Sequence, residues 1–183
     1  MNRFFLTTSL GFLFLAPCVH AANVYVPYIG VDGIYNVAKA KQIKPQYYGA
    51  AVNLGTTYNQ YFGTEIFYHQ TGSKVKKISD DEKFKTSYRA YGLDLIGYLP
   101  VATNFKLTAN IGVATYVFKE KTTGKKHSDD EGYGYRFGAG FMYDLSKNIS
   151  LRALARYINF DHISDVDHEA EYVLGLRYYF LKD

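Results

Sequence analysis

The segment from Glu171 to Phe180 constrains the fold more than any other part of the chain. Every second residue in it is large and apolar: Tyr172, Leu174, Leu176, Tyr178 and Phe180. Four of the five between them are Glu171, Gly175, Arg177 and Tyr179. Successive side chains of a β-strand point to opposite faces, so this stretch carries one apolar and one polar face. A soluble β-sandwich strand alternates in the same way, so the rest of the chain must decide between the two settings.

The pattern recurs. Eight segments show two-residue alternation: about Asn23 to Tyr35, Tyr47 to Gly55, Tyr61 to His69, Ser87 to Tyr98, Phe105 to Phe118, Gly134 to Tyr143, Ile149 to Phe160, and Glu171 to Phe180. The clearest sets Phe105, Leu107, Ala109, Ile111 and Val113 against Lys106, Thr108, Asn110 and Gly112. The seventh is ambiguous, because Leu154 and Ile158 share a face with Arg152 and Arg156. Short links near Thr56 to Gln60, Leu99 to Asn104 and Asp144 to Asn148 hold the residues of tight turns. Long links fall at Asn36 to Gln46, Gln70 to Thr86, Lys119 to Gly132 and Asp161 to Ala170. Alternating short and long connections predict an all-β, eight-stranded antiparallel up-and-down barrel.

The N-terminus reads as a secretory signal. Arg3 is the positive start, Phe4 to Leu15 the apolar core, and Val19-His20-Ala21 the small-residue cleavage site. The expected division is residues 1–21 as signal and 22–183 as barrel domain. Cys18 would serve a lipoprotein signal only weakly, because Pro17 precedes it. Cleavage leaves no cysteine, so neither a disulfide framework nor a cysteine-ligated metal is expected. The formal charge of +4, falling to +3 without Arg3, is too mild to imply nucleic-acid binding. All 19 tyrosines lie in the mature part, and tyrosine suits membrane–water boundaries.

These features favour a transmembrane barrel. Backbone groups in hydrocarbon have no water to bond, so only helices and closed barrels satisfy them all. A strand of about 9–11 residues is long enough to cross. Short turns then belong on the periplasmic side, with long loops outside and both termini in the periplasm.

Four motifs carry a family resemblance over Ala22 to Asp183: Tyr28-Ile29-Gly30-Val31, Tyr61-Phe62-Gly63-Thr64-Glu65, Tyr91-Gly92-Leu93-Asp94-Leu95 and Tyr178-Tyr179-Phe180. In them the chain resembles the small eight-stranded outer-membrane barrels of the OmpA/OmpX and opacity-protein (Opa-like) surface-antigen type. The resemblance implies a bacterial outer-membrane location, contact with membrane lipid and lipopolysaccharide, and handling by the barrel assembly machinery. One departure is that Leu181-Lys182-Asp183 follow Phe180, where the family's assembly signal usually ends on the aromatic residue.

The polar faces carry Glu65, Asp94, Lys106, Arg136, Arg152, Arg156, Glu171 and Arg177. An eight-stranded barrel is filled by side chains, and an unpaired buried charge is costly. A salt-bridge network plugging the lumen is therefore expected, with water or loop carboxylates completing it, since five basic residues face three acids.

Binding by such a scaffold belongs to its loops. Lys39, Lys41 and Lys44 fall in the first, Lys74, Lys76 and Lys77 in the second, Lys125 and Lys126 in the third. Such clusters suit acidic host proteins, sulfated sugars or lipopolysaccharide phosphates. The Opa-like resemblance implies adhesion to host cell-surface or serum proteins, and that is the expected function, against a purely structural role. No cofactor is expected. His162 and His168 among the carboxylates of loop four fit no standard metal spacing. His162-Ile163-Ser164 resembles the His-x-Ser signature of outer-membrane lipid A deacylases, with Glu169 or Glu171 as the orienting acid. Three features weigh against that enzyme. Asp165 stands where that family usually has asparagine, and the acids follow too closely. Strand parity also turns His162 and Ser164 toward the lumen, away from acyl chains.

Overall fold

The computed structural model describes residues 25–40, 46–72, 74–77, 83–122, 128–161 and 166–180. Its strands are β1 Val26–Ala40, β2 Gln46–Thr57, β3 Phe62–Thr71, β4 Lys74–Lys77, β5 Lys83–Ala102, β6 Phe105–Thr122, β7 Ser128–Asp144, β8 Ile149–Asp161 and β9 Val166–Tyr179. All pairings are antiparallel. The circuit runs β1, β2, β3, β5, β6, β7, β8, β9 and back to β1, so eight strands close a barrel. The short β4 pairs with the upper part of β5, beyond the point where β3 leaves it.

Register fixes the barrel's shape. One row of partners passes from Tyr35 through Tyr172, Ala155, Ala139, Ala109, Gly97 and Phe62 to Tyr58. One step beyond the Val26–Thr57 pair it reaches Tyr25, whose ring lies 5.7 Å from that of Tyr58. The row thus returns to β1 ten residues from where it began. A stagger of that size tilts the strands by roughly 35–45° and leaves a bore that side chains fill.

The exterior is apolar, while the charged side chains of the strands are buried in the interior among apolar layers, unlike the arrangement of a soluble protein. Ile29, Val31, Val52, Leu54, Ile66, Leu93, Leu95, Ile111, Val113, Phe137, Leu174 and Leu176 all stand exposed on the outside. Tyr35, Tyr48 and Tyr172 sit side by side near the loop end, with Tyr68, Tyr91, Tyr133, Tyr135 and Tyr157 continuing the belt. A second belt at the turn end holds Tyr25, Tyr61, Phe62, Phe105, Phe141, Tyr143, Tyr178 and Phe180. On β7 the stretch from Tyr133 to Tyr143 measures about 33 Å along the strand, or about 25 Å along the barrel axis. That matches the apolar band of an outer-membrane barrel, about 25 Å tall and edged by aromatic girdles.

The strands run further than alternation predicts. Expected links at Gln70–Thr86, Lys119–Gly132 and Asp161–Ala170 shrink, because β4 forms and β5, β6, β7 and β9 continue beyond the belt. There the sequence is mostly charged and polar at both parities, so period-two patterning fades while backbone pairing persists. At the other end β5 passes through Pro100 to Ala102 with a register shift, a position where a ladder tolerates proline. The turn at 58–61 is held by Asn59, whose Oδ1 accepts bonds from the amides of Tyr61 (2.7 Å) and Phe62 (2.9 Å).

Candidate functional site

The lumen is a stack of layers. At the turn end Ile96, Tyr98 and Met142 pack together, and the Tyr179 hydroxyl reaches the Met142 sulfur at 3.4 Å. Lys106 belongs to this rim: it pairs with Asp144 at 3.3 Å, apart from the central charges with which strand parity groups it.

Above lies the first ionic cluster. Arg177 makes a two-pronged contact with Asp32 (2.7 and 3.0 Å) and donates Nε to Glu65 at 3.1 Å. Arg152 bridges the same carboxylates, 2.9 Å from Asp32 and 3.0 and 3.2 Å from Glu65. The hydroxyl of Tyr28 and the amide of Asn53 each add a 2.9 Å bond, to Glu65 and Asp32 respectively. In the second cluster Arg156 holds Glu171 at 2.6 Å and Asp94 at 3.4 Å. Arg136 reaches Glu171 at 3.4 Å and Asp94 at 3.6 Å, and its guanidinium lies 3.7 Å over the Phe67 ring. Asn110 donates to Asp94 at 3.2 Å, and His69 Nδ1 stands 3.6 Å from Glu171. Glu65 and Asp94 are direct cross-strand partners, a repulsive placement that the flanking arginines offset.

Four arginines thus meet four carboxylates in the two clusters. Among the described residues the set is completed by Asp32 from β1. Asp32 shares the polar face of Tyr28 and Gly30, so strand parity is the signal that includes it. Glycine makes the room. A Cβ on Gly30 would lie 2.5 Å from Arg177 Nη1, and one on Gly138 would lie 2.6 Å from Arg156 Cγ. These are close approaches that no larger residue permits.

Apolar layers complete the plug. Ile34, Ala51, Leu154 and Val173 form one, which explains why Leu154 shares a face with arginines. Phe67, Tyr88, Ala90, Ala114, Tyr116, Ile158 and Phe160 form another at the loop end, with Phe118 packed against it. Among the described residues, apolar layers and paired ions therefore alternate along the lumen. Reconstituted in a planar bilayer, the barrel is expected to show no steady conductance. A stable open channel would contradict the plug.

Glu169, expected in a loop, is a strand residue of β9 and fully buried. The acidic residues around it mask the alternation in the sequence. The Tyr88 hydroxyl donates to its Oε1 at 2.5 Å, and Asn36 Nδ2 bonds that hydroxyl in turn. Glu169 thus faces the lumen, on the side away from lipid. His162 and Ser164, the other members of the hydrolase alternative, lie outside the described residues, as do Lys41, Lys44, Lys125 and Lys126. The backbone places Lys39 in β1 and Lys74, Lys76 and Lys77 in β4. His168 stacks on Tyr157 with ring centres 5.4 Å apart. Among the described residues no group of three His, Cys, Asp or Glu side chains is placed to hold a metal.

The family model described as outer membrane protein beta-barrel domain matches residues 6–180. No curated protein matches the chain in sequence. Among solved structures, the chain is similar to Neisserial surface protein A (TM-score 0.69, 16% identity, covering 84% of this chain and 97% of that one). It is also similar to Ail, the attachment invasion locus protein of Yersinia pestis, in complex with the heparin analogue sucrose octasulfate. There the TM-score is 0.60 at 16% identity, over 85% of this chain and 97% of that one. A major outer membrane protein from Thermus thermophilus gives a TM-score of 0.64 at 10% identity, over 86% and 100%. At these identities the likeness speaks for the fold alone.

Proposed function

Because the chain belongs to the outer membrane protein β-barrel family, we propose that it is a surface-displayed adhesion protein, contacting host cell-surface or serum proteins through the loop end of a rigid, plugged barrel. In this reading the loop end is extracellular and both termini are periplasmic. The apolar face of β9 is what the barrel assembly machinery would engage.

The observation that carries the proposal is the β4–β5–β6 ladder. It gathers Lys74, Lys76, Lys77, Lys83, Lys85, Lys119 and Lys121 beyond the tyrosine belt. Lys77 is the register partner of Lys83, and Lys85 of Lys121. Like charges directly opposite each other destabilise a sheet. On the next seam Lys119 pairs in register with Asp129, a compensated arrangement. The backbone register alone sets like charges opposite each other here, and an acidic protein surface or a sulfated sugar would complement them. The structure of Ail with a heparin analogue shows that another barrel of this fold accepts a polysulfated ligand.

The test uses the full chain displayed on a non-adherent bacterium, with display confirmed by protease accessibility in intact cells. Replacing Lys74, Lys76, Lys77 and Lys85 together by serine is expected to lower binding to host cells and to heparin-coated surfaces by about tenfold or more, with a marked salt dependence. Unchanged binding by a displayed variant would overturn the adhesion reading.

A further inference from the structure

One basic residue on the outside of the barrel stands apart from the loop clusters. Arg89 lies on the outward, exposed face of β5, two residues beyond Tyr91 of the loop-end belt. It makes no ion pair among the described residues. The nearest described carboxylate in its register row is Glu131, two strands away across Val117, and at the edge of an apolar band lipid headgroups offer a closer counter-charge.

Its neighbours point the same way. Gln70 is the direct register partner of Arg89, and Tyr68 that of Tyr91. Tyr68 donates its hydroxyl to Gln70 Oε1 at 3.1 Å, which turns the Gln70 amide nitrogen into the free donor. Tyr68, Gln70, Ser87, Tyr88 and Arg89 line a shallow pocket at this seam. Its lining thus offers a guanidinium, an amide and hydroxyls, with no carboxylate among the lining residues. Below it, Ile66, Leu93 and Leu95 continue the same outward face as an exposed apolar track. On β5 the distance from Val101 to Tyr91 is about 25 Å along the axis, so Arg89 stands at headgroup height, about 5 Å beyond the belt.

We infer that Arg89, Gln70 and Ser87 form a binding site for the phosphate of a phosphorylated glycolipid in the outer leaflet, its acyl chains lying along Ile66, Leu93 and Leu95. A planar guanidinium grips phosphate through two parallel hydrogen bonds, which a simple surface charge does not. The inference rests on the loop end being extracellular, as in the proposed function, but not on adhesion. Protease cleavage of the loops in intact cells tests that orientation separately.

The experiment is native mass spectrometry of the full barrel released from vesicles. Four additions are compared: bisphosphorylated lipid A, its dephosphorylated form, phosphatidylglycerol and inorganic phosphate. The barrel is expected to retain bisphosphorylated lipid A in preference to the other three. Arg89→Ala is expected to reduce that retention about tenfold, Gln70→Ala about threefold, and Arg89→Lys by an intermediate factor. Lys147→Ala, in the turn at the opposite end, should leave it unchanged. Equal retention by Arg89→Ala and the parent barrel would overturn the site. So would equal retention of the dephosphorylated form, which would assign binding to the acyl chains, or of phosphatidylglycerol, which would make it a general anion effect. Retention of inorganic phosphate alone would show an anion site without a lipid and overturn the glycolipid assignment. Loops cleaved only after permeabilisation would put Arg89 in the inner leaflet and defeat both this site and the proposed orientation.

Discussion

Replacing Glu65 by alanine is expected to destabilise the barrel by about 3–5 kcal/mol, the loss that follows when one partner of a buried ion pair is removed. Glu65 accepts from Tyr28, Arg152 and Arg177 at once. Its removal leaves two buried guanidinium groups sharing Asp32 alone. Urea unfolding in lipid vesicles, followed by the mobility shift of folded barrel in cold detergent gels, reads the effect. Glutamine at the same position keeps the hydrogen bonds and removes the charge, so a smaller loss is expected. Combining Glu65→Met with Arg152→Met should recover part of the alanine penalty, because neither change then strands its partner. A loss below about 1 kcal/mol for Glu65→Ala would mean that water screens this cluster as it screens a surface pair.

Gly30→Val is expected to cost about 3–5 kcal/mol without deleting a single polar group. The new Cβ would fall 2.6 Å from both Cδ and Cζ of Arg177. Arg177 would have to leave, and Asp32 and Glu65 would lose it together. Gly33→Val is the matched control three residues along the same strand. A Cβ at Gly33 faces outward and meets only the Leu174 carbonyl oxygen, at an ordinary 3.7 Å. Its change in stability should stay within about 1 kcal/mol, since valine suits a strand. Equal losses at the two positions in the same unfolding assay would assign the effect to strand backbone and not to the arginine.

Much of this architecture is legible in the sequence because hydrocarbon outside and packed ions inside impose opposite chemistries on adjacent residues. The run from Phe105 to Val113 shows that rule in its simplest form, and the structure places those residues in β6 with the expected faces. Strand β8 is harder to read, since the lumen is not uniformly polar. Leu154 and Ile158 face inward in apolar layers above and between the arginines. Glu169 escapes the pattern for the converse reason. Beyond the belt the sequence is charged at both parities, while β9 still turns Glu169 into the plug. Parity places the arginines and Asp94, Glu65 and Glu171 on inward faces. Which arginine meets which carboxylate depends on the stagger of the barrel, a non-local quantity that no single strand encodes.

That stagger and the unequal strand lengths together shape the rim. β5 runs eight residues beyond Tyr91, to Lys83, whereas β2 runs only two beyond Tyr48, to Gln46. At about 3.3 Å per residue and the strand tilt, the β5–β6 ladder rises about 20 Å past the belt while the described part of β2 stays near it. A barrel crowned in this way has a tall side and a low side. Of the described strands, a large body descending along the axis meets β5 and β6 first. The described strands are therefore directional around the barrel axis, and neighbouring copies in the same membrane would each offer the tall β5–β6 ladder on one bearing only.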